Sequence, residues 1–533
     1  MKAIRIVALV LAMALLLTGC SGWSLEQLWS DLTAQLVTPF ADMTYTRPDM
    51  TAMKATLNEC CTQAQSQTKV EKLLDQVWEF YGQYNRFYTQ YHLATIHYFH
   101  DMTDIYWEQE YSYCMAQAAT AEASLEELFY ALAASPLKDA LEEDPSFGEG
   151  FFDSYVGQTI WDETFSQLMY REAELEDRYY ELVTQAQDTP YYSDAYFDTY
   201  GAQMAQLFVE LVKVRQEIAA YAGYDDYPSF AYDFYYYRDY TPAQAEQYFF
   251  DVQRELVLLY RQLGTPDENW GAFCDQSKTF AYVKSAAEAM GGTIRNAFYL
   301  METAGLYDIS YGANKYNGSF SLFLPDYYVP FVFVNPSSTQ LDKLTFAHEF
   351  GHFCNDYAAT GSVIGVDVAE VFSQGMEYLT LCYGEGAGTL ERMKMEDCLQ
   401  LFVEQSAYAL FEQQVYRLTG EELTVQNVQA LYQQIGQSFG FDSRNWDSRE
   451  FVLIGHYFTD PMYIASYVVS NDVAFQLYQL EKESAGAGLA LMQEHLATNA
   501  AQLMVFVEET GLDSPMQPGR VAAVKKTLAE LLS

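Results

Sequence analysis

Positive charge is scarce in this chain. Its 533 residues hold 29 Lys and Arg against 73 Asp and Glu, a formal net charge of -44. A field of that sign repels phosphate backbones, which excludes nucleic acid as a partner. It favours neutral or basic solutes over acidic ones, and it also keeps a chain with 45 tyrosines soluble. Cysteine is sparse as well. Beyond Cys20 there are Cys60, Cys61, Cys114, Cys274, Cys354, Cys382 and Cys398. An odd set with one adjacent pair and no C-x-x-C is neither a disulfide framework nor a cysteine-ligated zinc site. Past the N-terminus no stretch approaches eighteen uncharged apolar residues, the length a membrane-spanning helix needs. Internal repeats and long low-complexity linkers are missing too. Histidine is rarest among the residue types that carry chemistry, with 7 copies.

The N-terminus reads MKAIRIVALVLAMALLLTGCSGW. Lys2 and Arg5 precede an unbroken apolar run from Ile6 to Leu17, too short to cross a bilayer and of the kind found in targeting segments. Leu17-Thr18-Gly19-Cys20 resembles the lipobox of bacterial lipoproteins. That implies a signal peptide over residues 1-19, a lipid on Cys20, and a lipidated tether over 20-40. The body, 41-533, would then sit lipid-anchored on the extracytoplasmic face of the bacterial cell envelope. The alternative is an ordinary cleaved signal with a coincidental cysteine. Losing Lys2 and Arg5 takes the net charge from -44 to -46.

At 50% hydrophobic and 16% aromatic residues, the body can bury a large core. Apolar residues recur at three- and four-residue spacing in VEKLLDQVWEFYGQYNRFYTQYHLATIHYFHDM, YFDTYGAQMAQLFVELVKVRQEIAAYAG, AQAEQYFFDVQRELVLLYRQL and LQLFVEQSAYALFEQQVYRL, which predicts helices. Thr241-Pro242 supplies an N-cap followed by proline at the first helical position. One region departs from the helical pattern. SFSLFLPDYYVPFVFVNPSS, 319-338, contains two short β-type runs, 320-324 and 331-334, around a proline-bounded loop.

Directly after it comes LDKLTFAHEFGHFCNDYAA. A chance H-E-x-x-H arises in roughly one chain in a hundred of this composition. On a helix, His348 and His352 stand at i and i+4 on one face, where both imidazoles reach one metal ion. Glu349 lies about 100° round the helix, placed to meet a water rather than the metal. Thr339 with Asp342 resembles a capping box, and Gly361 marks a stop. A catalytic zinc takes three protein ligands and keeps an open position. Downstream, GVDVAEVFSQGMEYL reads as a second helix carrying Glu370, Gln374 and Glu377 on one face. Solvated helix acids are the bland reading of these three. The apolar neighbours Val366, Val368, Ala369, Val371 and Phe372 favour a partly buried carboxylate that needs a partner. Glu370 is therefore the third ligand, and Gln374 or Glu377 could orient a ligand from behind.

From about Asn314 onward the sequence resembles the oligoendopeptidase F and thimet oligopeptidase group of zinc metallopeptidases. NKYNGSFSLF and PFVFVNPSS resemble that family's small sheet, LTFAHEFGH its metal helix, and VAEVFSQGMEYL the helix of its glutamate ligand. GHYFTDPMYIASYVVS resembles its His- and Tyr-bearing segment, and TGLDSPMQPGRVAAVKKTLAELL its C-terminal close. Three departures stand out: Asn355 replaces a family histidine that is not a ligand, Ala465 replaces a tyrosine, and only 18 positions separate His352 from Glu370. The resemblance implies a mostly α fold of two helical lobes, 41-300 and 301-533, around a deep substrate channel, with a small β-sheet beside the metal helix. It also implies one Zn(2+) per chain and a monomer acting on short peptides. Glu349 would serve as general base, with His456, Tyr463 and Tyr467 as candidate donors to the developing oxyanion. The strand Phe331, Val332, Phe333 and Val334 would present an edge to which a peptide adds as an extra strand. His92, His97, His100 and His495 lack ligand spacing and read as structural.

Two other readings compete: a tethered peptide-binding lipoprotein descended from a peptidase, and a metallopeptidase with a thermolysin-like or angiotensin-converting-enzyme-like fold. A binder has no need of Glu349. The hairpin directly before HEFGH and the wording AEVFSQ weigh against the other fold.

Overall fold

The computed structural model describes residues 37-533 apart from short breaks at 67-68, 145-146, 157-162, 187-188, 264-270, 362-363 and 443-444. The targeting segment and Cys20 lie outside the described residues. The chain forms two compact units, dividing at Gln158/Thr159, Ala272/Phe273 and Ser362/Val363. Among the described residues, no helix is long and apolar enough to cross a membrane.

The first unit opens with helices Met50–Ala64, Val70–His100 and Ile105–Ala133, which pack together. Asp49 and Asp104 start two of them by accepting hydrogen bonds from backbone N–H groups of the first turn. Their shared core holds Leu57, Leu128 and Leu132 together with Leu73, Val77 and Phe80, the apolar stripe that the periodicity of VEKLLDQVWEFY predicts. Helices Gln276–Met290 and Gly292–Ala304 follow, then a three-stranded sheet. Its strands are β1 (Tyr307–Asp308), β2 (Ser319–Leu324) and β3 (Val329–Val334), in the order β1-β3-β2.

This order corrects one expectation. Phe331, Val332, Phe333 and Val334 do not form an edge: β3 is the central strand, antiparallel to β2 along its length and parallel to β1 at Val332 and Phe333. Every β3 residue is buried. An uninterrupted apolar run such as VPFVFV is the mark of a strand covered on both faces. The outer strands are β1, two residues long, and the longer β2, both only partly buried apart from Leu324. Val332 donates its N–H to Leu306 on the β1 side. Alternation then turns the backbone N–H and C=O of Ser319 and Ser321 away from β3. Two residues on, the Phe323 carbonyl contacts His92 Nδ1 at 2.7 Å.

Lys315, from the NKYNG turn, secures this sheet. Its Nζ is buried and donates to Asp308 Oδ1 at 2.8 Å, Ser310 O at 2.8 Å and Val334 O at 2.7 Å. The helix Asp342–Ala359, which carries both histidines, packs on β2, β3 and the two helices before the sheet. Asp342 Oδ2 accepts the Thr339 N–H at 2.9 Å, one half of the expected capping box. The helix ends where Thr360 and Gly361 take left-handed conformations, φ 56° and 74°. A Cβ on Gly361 would stand 2.3 Å from the Phe323 ring, so only glycine fits there.

In the second unit, helix Val366–Tyr383 packs along Ile464–Glu483, and Pro242–Leu263 along Gly388–Val415. Thr241 and Gln244 cap Pro242–Leu263 reciprocally: Gln244 N–H donates to Thr241 Oγ1 and Thr241 N–H to Gln244 Oε1. Helix Val366–Tyr383 is buried almost all round, as its apolar sequence requires.

Candidate metal centre

In the first unit, His348 and His352 stand one turn apart with ring centroids separated by 5.1 Å. Both imidazoles are half-buried, and Glu349 between them is 5% exposed. In the second unit, Glu370 is 3% exposed in the first turns of helix Val366–Tyr383. Its Oε1 accepts the Tyr463 hydroxyl at 2.8 Å and its Oε2 the Ser373 hydroxyl at 2.9 Å. His348, His352 and Glu370 are a set of side chains that could hold a metal ion. Two imidazoles and a carboxylate form a donor set suited to a divalent transition metal, and three protein ligands leave room for a water. The residues fit the ion. The two hydroxyls orient the Glu370 carboxylate in the manner of partners that fix a ligand from behind.

The HYFTDPMYIASY segment gathers its three candidates. The His456 ring stacks on Tyr463 at 5.1 Å, and its Nε2 lies 3.4 Å from the Tyr467 hydroxyl. Its Nδ1 lies 3.5 Å from Asp460 Oδ2. Burial acts to raise the Asp460 pKa, but the nearby His456 imidazole and a hydrogen bond from the Thr459 hydroxyl hold that carboxyl below its usual range. Burial, then the neighbouring Glu370 carboxylate, push the Tyr463 hydroxyl far above its ordinary value, so it remains a protonated donor.

The other two residues of that helix face have partners of their own. Gln374 donates its amide to the Tyr467 carbonyl at 3.3 Å, joining the two long helices. Glu377 pairs with the buried Lys394 at 2.7 Å. Ser373 was not singled out in the sequence, although a serine three residues past a buried glutamate on a helix is within local reach of it. The remaining histidines are engaged structurally: His92 with Phe323, His97 stacked on Trp107, His100 on Asp308, and His495 against Phe506. All seven described cysteines are free.

Residues 40–158 match the family described as the Peptidase M3 N-terminal domain. No curated protein matches the chain by sequence. Among solved structures, the fold is similar to one provisionally named oligoendopeptidase F, at TM-score 0.79 and 20% identity over 93% of this chain and 99% of that one. It is equally similar to PZ peptidase A with an inhibitor, at TM-score 0.79 and 18% identity over 92% and 99% of the two chains. A provisionally named oligoendopeptidase F from Bacillus anthracis str. Ames gives TM-score 0.77 and 17% identity over 93% and 98%. At these identities the likeness establishes the fold. The fold is the mostly helical one implied by LTFAHEFGH and VAEVFSQGMEYL, and a small sheet lies beside the histidine helix.

Proposed function

We propose that this protein is a zinc-dependent metalloendopeptidase that hydrolyses short unfolded peptides. The observation carrying the proposal is the His348, His352 and Glu370 set of possible metal ligands, with the two imidazoles one turn apart on a helix and Glu349 buried between them. A zinc ion held there supplies a Lewis acid and a water whose pKa is lowered to about 7. Glu349 takes the proton from the attacking water and later delivers it to the leaving amine. Tyr463 and Ser373 keep the Glu370 carboxylate oriented. His456 and Tyr467, in mutual contact, supply hydroxyl and imidazole donors for the developing oxyanion. The outward-turned backbone of Ser319 and Ser321 on β2 is the edge on which a substrate strand lies, replacing the role expected of β3. Backbone pairing of that kind tolerates many side chains, which suits a substrate class rather than one peptide.

Cys20 and the apolar run before it support a lipid-anchored protein on the extracytoplasmic face of the bacterial envelope. Membrane fractionation tests the anchor: Cys20→Ala should move the protein from the membrane to the soluble fraction. The activity is tested by incubating the purified full chain with a mixed pool of short peptides, with and without a chelator. Cleavage that stops on chelation and returns with zinc supports the peptidase. A protein that retains peptides uncut while holding zinc is instead a tethered binding lipoprotein.

A further inference from the structure

We propose that Arg238 is a positioning residue that fixes Tyr463 against Glu370, and thereby sets how the carboxylate ligand is presented to the metal. This deepens the peptidase reading and rests on Glu370 being a ligand.

The segment that brings His456 and Tyr463 to the site has little regular structure of its own. After the short helix His456–Thr459 the chain turns through 460-463 before helix Ile464–Glu483 begins. Its backbone is held instead by buried side chains. The Tyr457 and Phe458 carbonyls accept from Arg215 at 2.7 and 2.6 Å. The Pro461 carbonyl accepts from the Tyr236 hydroxyl at 2.8 Å. The Met462 carbonyl accepts from Arg238 Nη2 at 3.0 Å, and the Met462 N–H donates to Glu412 Oε1 at 2.8 Å. Met462 adopts φ 71°, a left-handed conformation that is strained for a non-glycine residue. Such a conformation persists where its surroundings over-determine it, and here both of its backbone polar groups are gripped. The strained residue directly precedes Tyr463.

Arg238 does more than hold Met462. Its Nε and Nη2 reach Asp367 Oδ2 and Oδ1 at 3.3 and 3.4 Å, in the first turn of the helix that carries Glu370. Nη2 also donates to Ser466 Oγ at 2.8 Å, in the first turn of Ile464–Glu483. Ser466 in turn donates to Asp367, as does the Tyr240 hydroxyl at 2.8 Å. The guanidinium lies 4.2 and 4.4 Å from the Tyr232 and Tyr236 ring centroids, and its side chain is 1% exposed. One planar cation, packed by two aromatic rings, thus holds both the turn that aims Tyr463 and the helix that carries Glu370. Two groups tied to one rigid plate keep their separation, here the 2.8 Å hydrogen bond between them. Lysine would supply the charge without the fork or the stacking plane.

A buried arginine–aspartate pair can also be purely architectural, and metal affinity separates the two roles. The full chain and its Arg238→Lys, Tyr463→Phe and double variants are compared by zinc affinity against a chromophoric chelator, by kcat and KM on a cleaved peptide, and by thermal melting. Folded Arg238→Lys should bind zinc 10- to 100-fold more weakly and lose kcat by a similar factor, with KM within about threefold. The double variant should bind zinc no worse than the weaker single variant, because both changes disable one hydrogen bond. A folded Arg238→Lys protein whose zinc affinity stays within about twofold of wild type, or losses that multiply in the double variant, overturns the proposal. Should Arg238→Lys fail to fold, Tyr240→Phe and Ser466→Ala decide on the same readout: weakened zinc binding supports it and unchanged binding overturns it. Wild type that binds zinc but cuts nothing defeats the peptidase reading alone, and the zinc comparison still judges Arg238. Wild type that binds no zinc defeats both.

Discussion

Glu349 differs from the other site residues in what its loss should do. Glu349→Gln leaves His348, His352 and Glu370 in place, so zinc content should remain at wild-type level while kcat falls 10²- to 10⁴-fold, as general-base removal does. Metal analysis and peptide hydrolysis on one preparation check this. Glu412, which grips the strained Met462, gives a pH prediction. Burial pushes its carboxyl from an ordinary 4.5 up to about 8. Between those values the folded protein binds more protons than the unfolded chain, so the associated stability is full at low pH and is lost as pH rises through that window. The melting temperature of Glu412→Gln relative to wild type should therefore climb from pH 5 to pH 8 and level off above it. A difference that stays flat with pH contradicts a buried, proton-retaining Glu412. The candidate metal ligands could be picked out in the sequence because H-E-x-x-H is local and Glu370 follows on the next helix along the chain. Arg238 could not: its bond to Asp367 spans 129 positions, and no periodicity records a contact of that range. Tyr463 came within reach only through the family resemblance, as a donor to the oxyanion, and its bond to Glu370, 93 positions away, was not foreseen.

Among the elements, the long helices were readable because their apolar residues repeat every three or four positions over many turns. Val70–His100 and Pro242–Leu263 lie where that spacing places them. The two-residue β1 was missed, since two positions carry no alternation. Strand order was misread for a different reason. A strand's own residues show whether it is buried, and VPFVFV did show this, but which neighbours pair with it is settled only by the fold. The edge role of β2 is testable through Ser321→Pro. Proline on an outer strand, replacing an N–H that faces away from the sheet, is compatible with folding. It removes one backbone donor to a substrate strand, so KM should rise up to about 10-fold with zinc affinity unchanged. Unaltered KM would show that peptides do not lie along β2. At the end of the histidine helix, Gly361→Ala brings a Cβ onto Phe323 at a left-handed position. It should destabilise the protein by about 1–3 kcal/mol in urea unfolding.

At the scale of the whole molecule, the -44 charge bears on which peptides arrive. Long-range attraction of cationic peptides is screened by salt, with a Debye length of about 10 Å at 0.1 M. A preference in kcat/KM for basic over acidic peptides of equal length should shrink as ionic strength rises; a preference indifferent to salt would place selectivity in local contacts. The wider account depends on one zinc-dependent hydrolytic centre. The most direct measurement is zinc stoichiometry and peptide cleavage, taken together, on wild type, Glu349→Gln and Glu370→Ala. The account predicts one zinc and cleavage in wild type, one zinc without cleavage in Glu349→Gln, and loss of both in Glu370→Ala. Full cleavage by Glu349→Gln, or unimpaired zinc binding by Glu370→Ala, would contradict it.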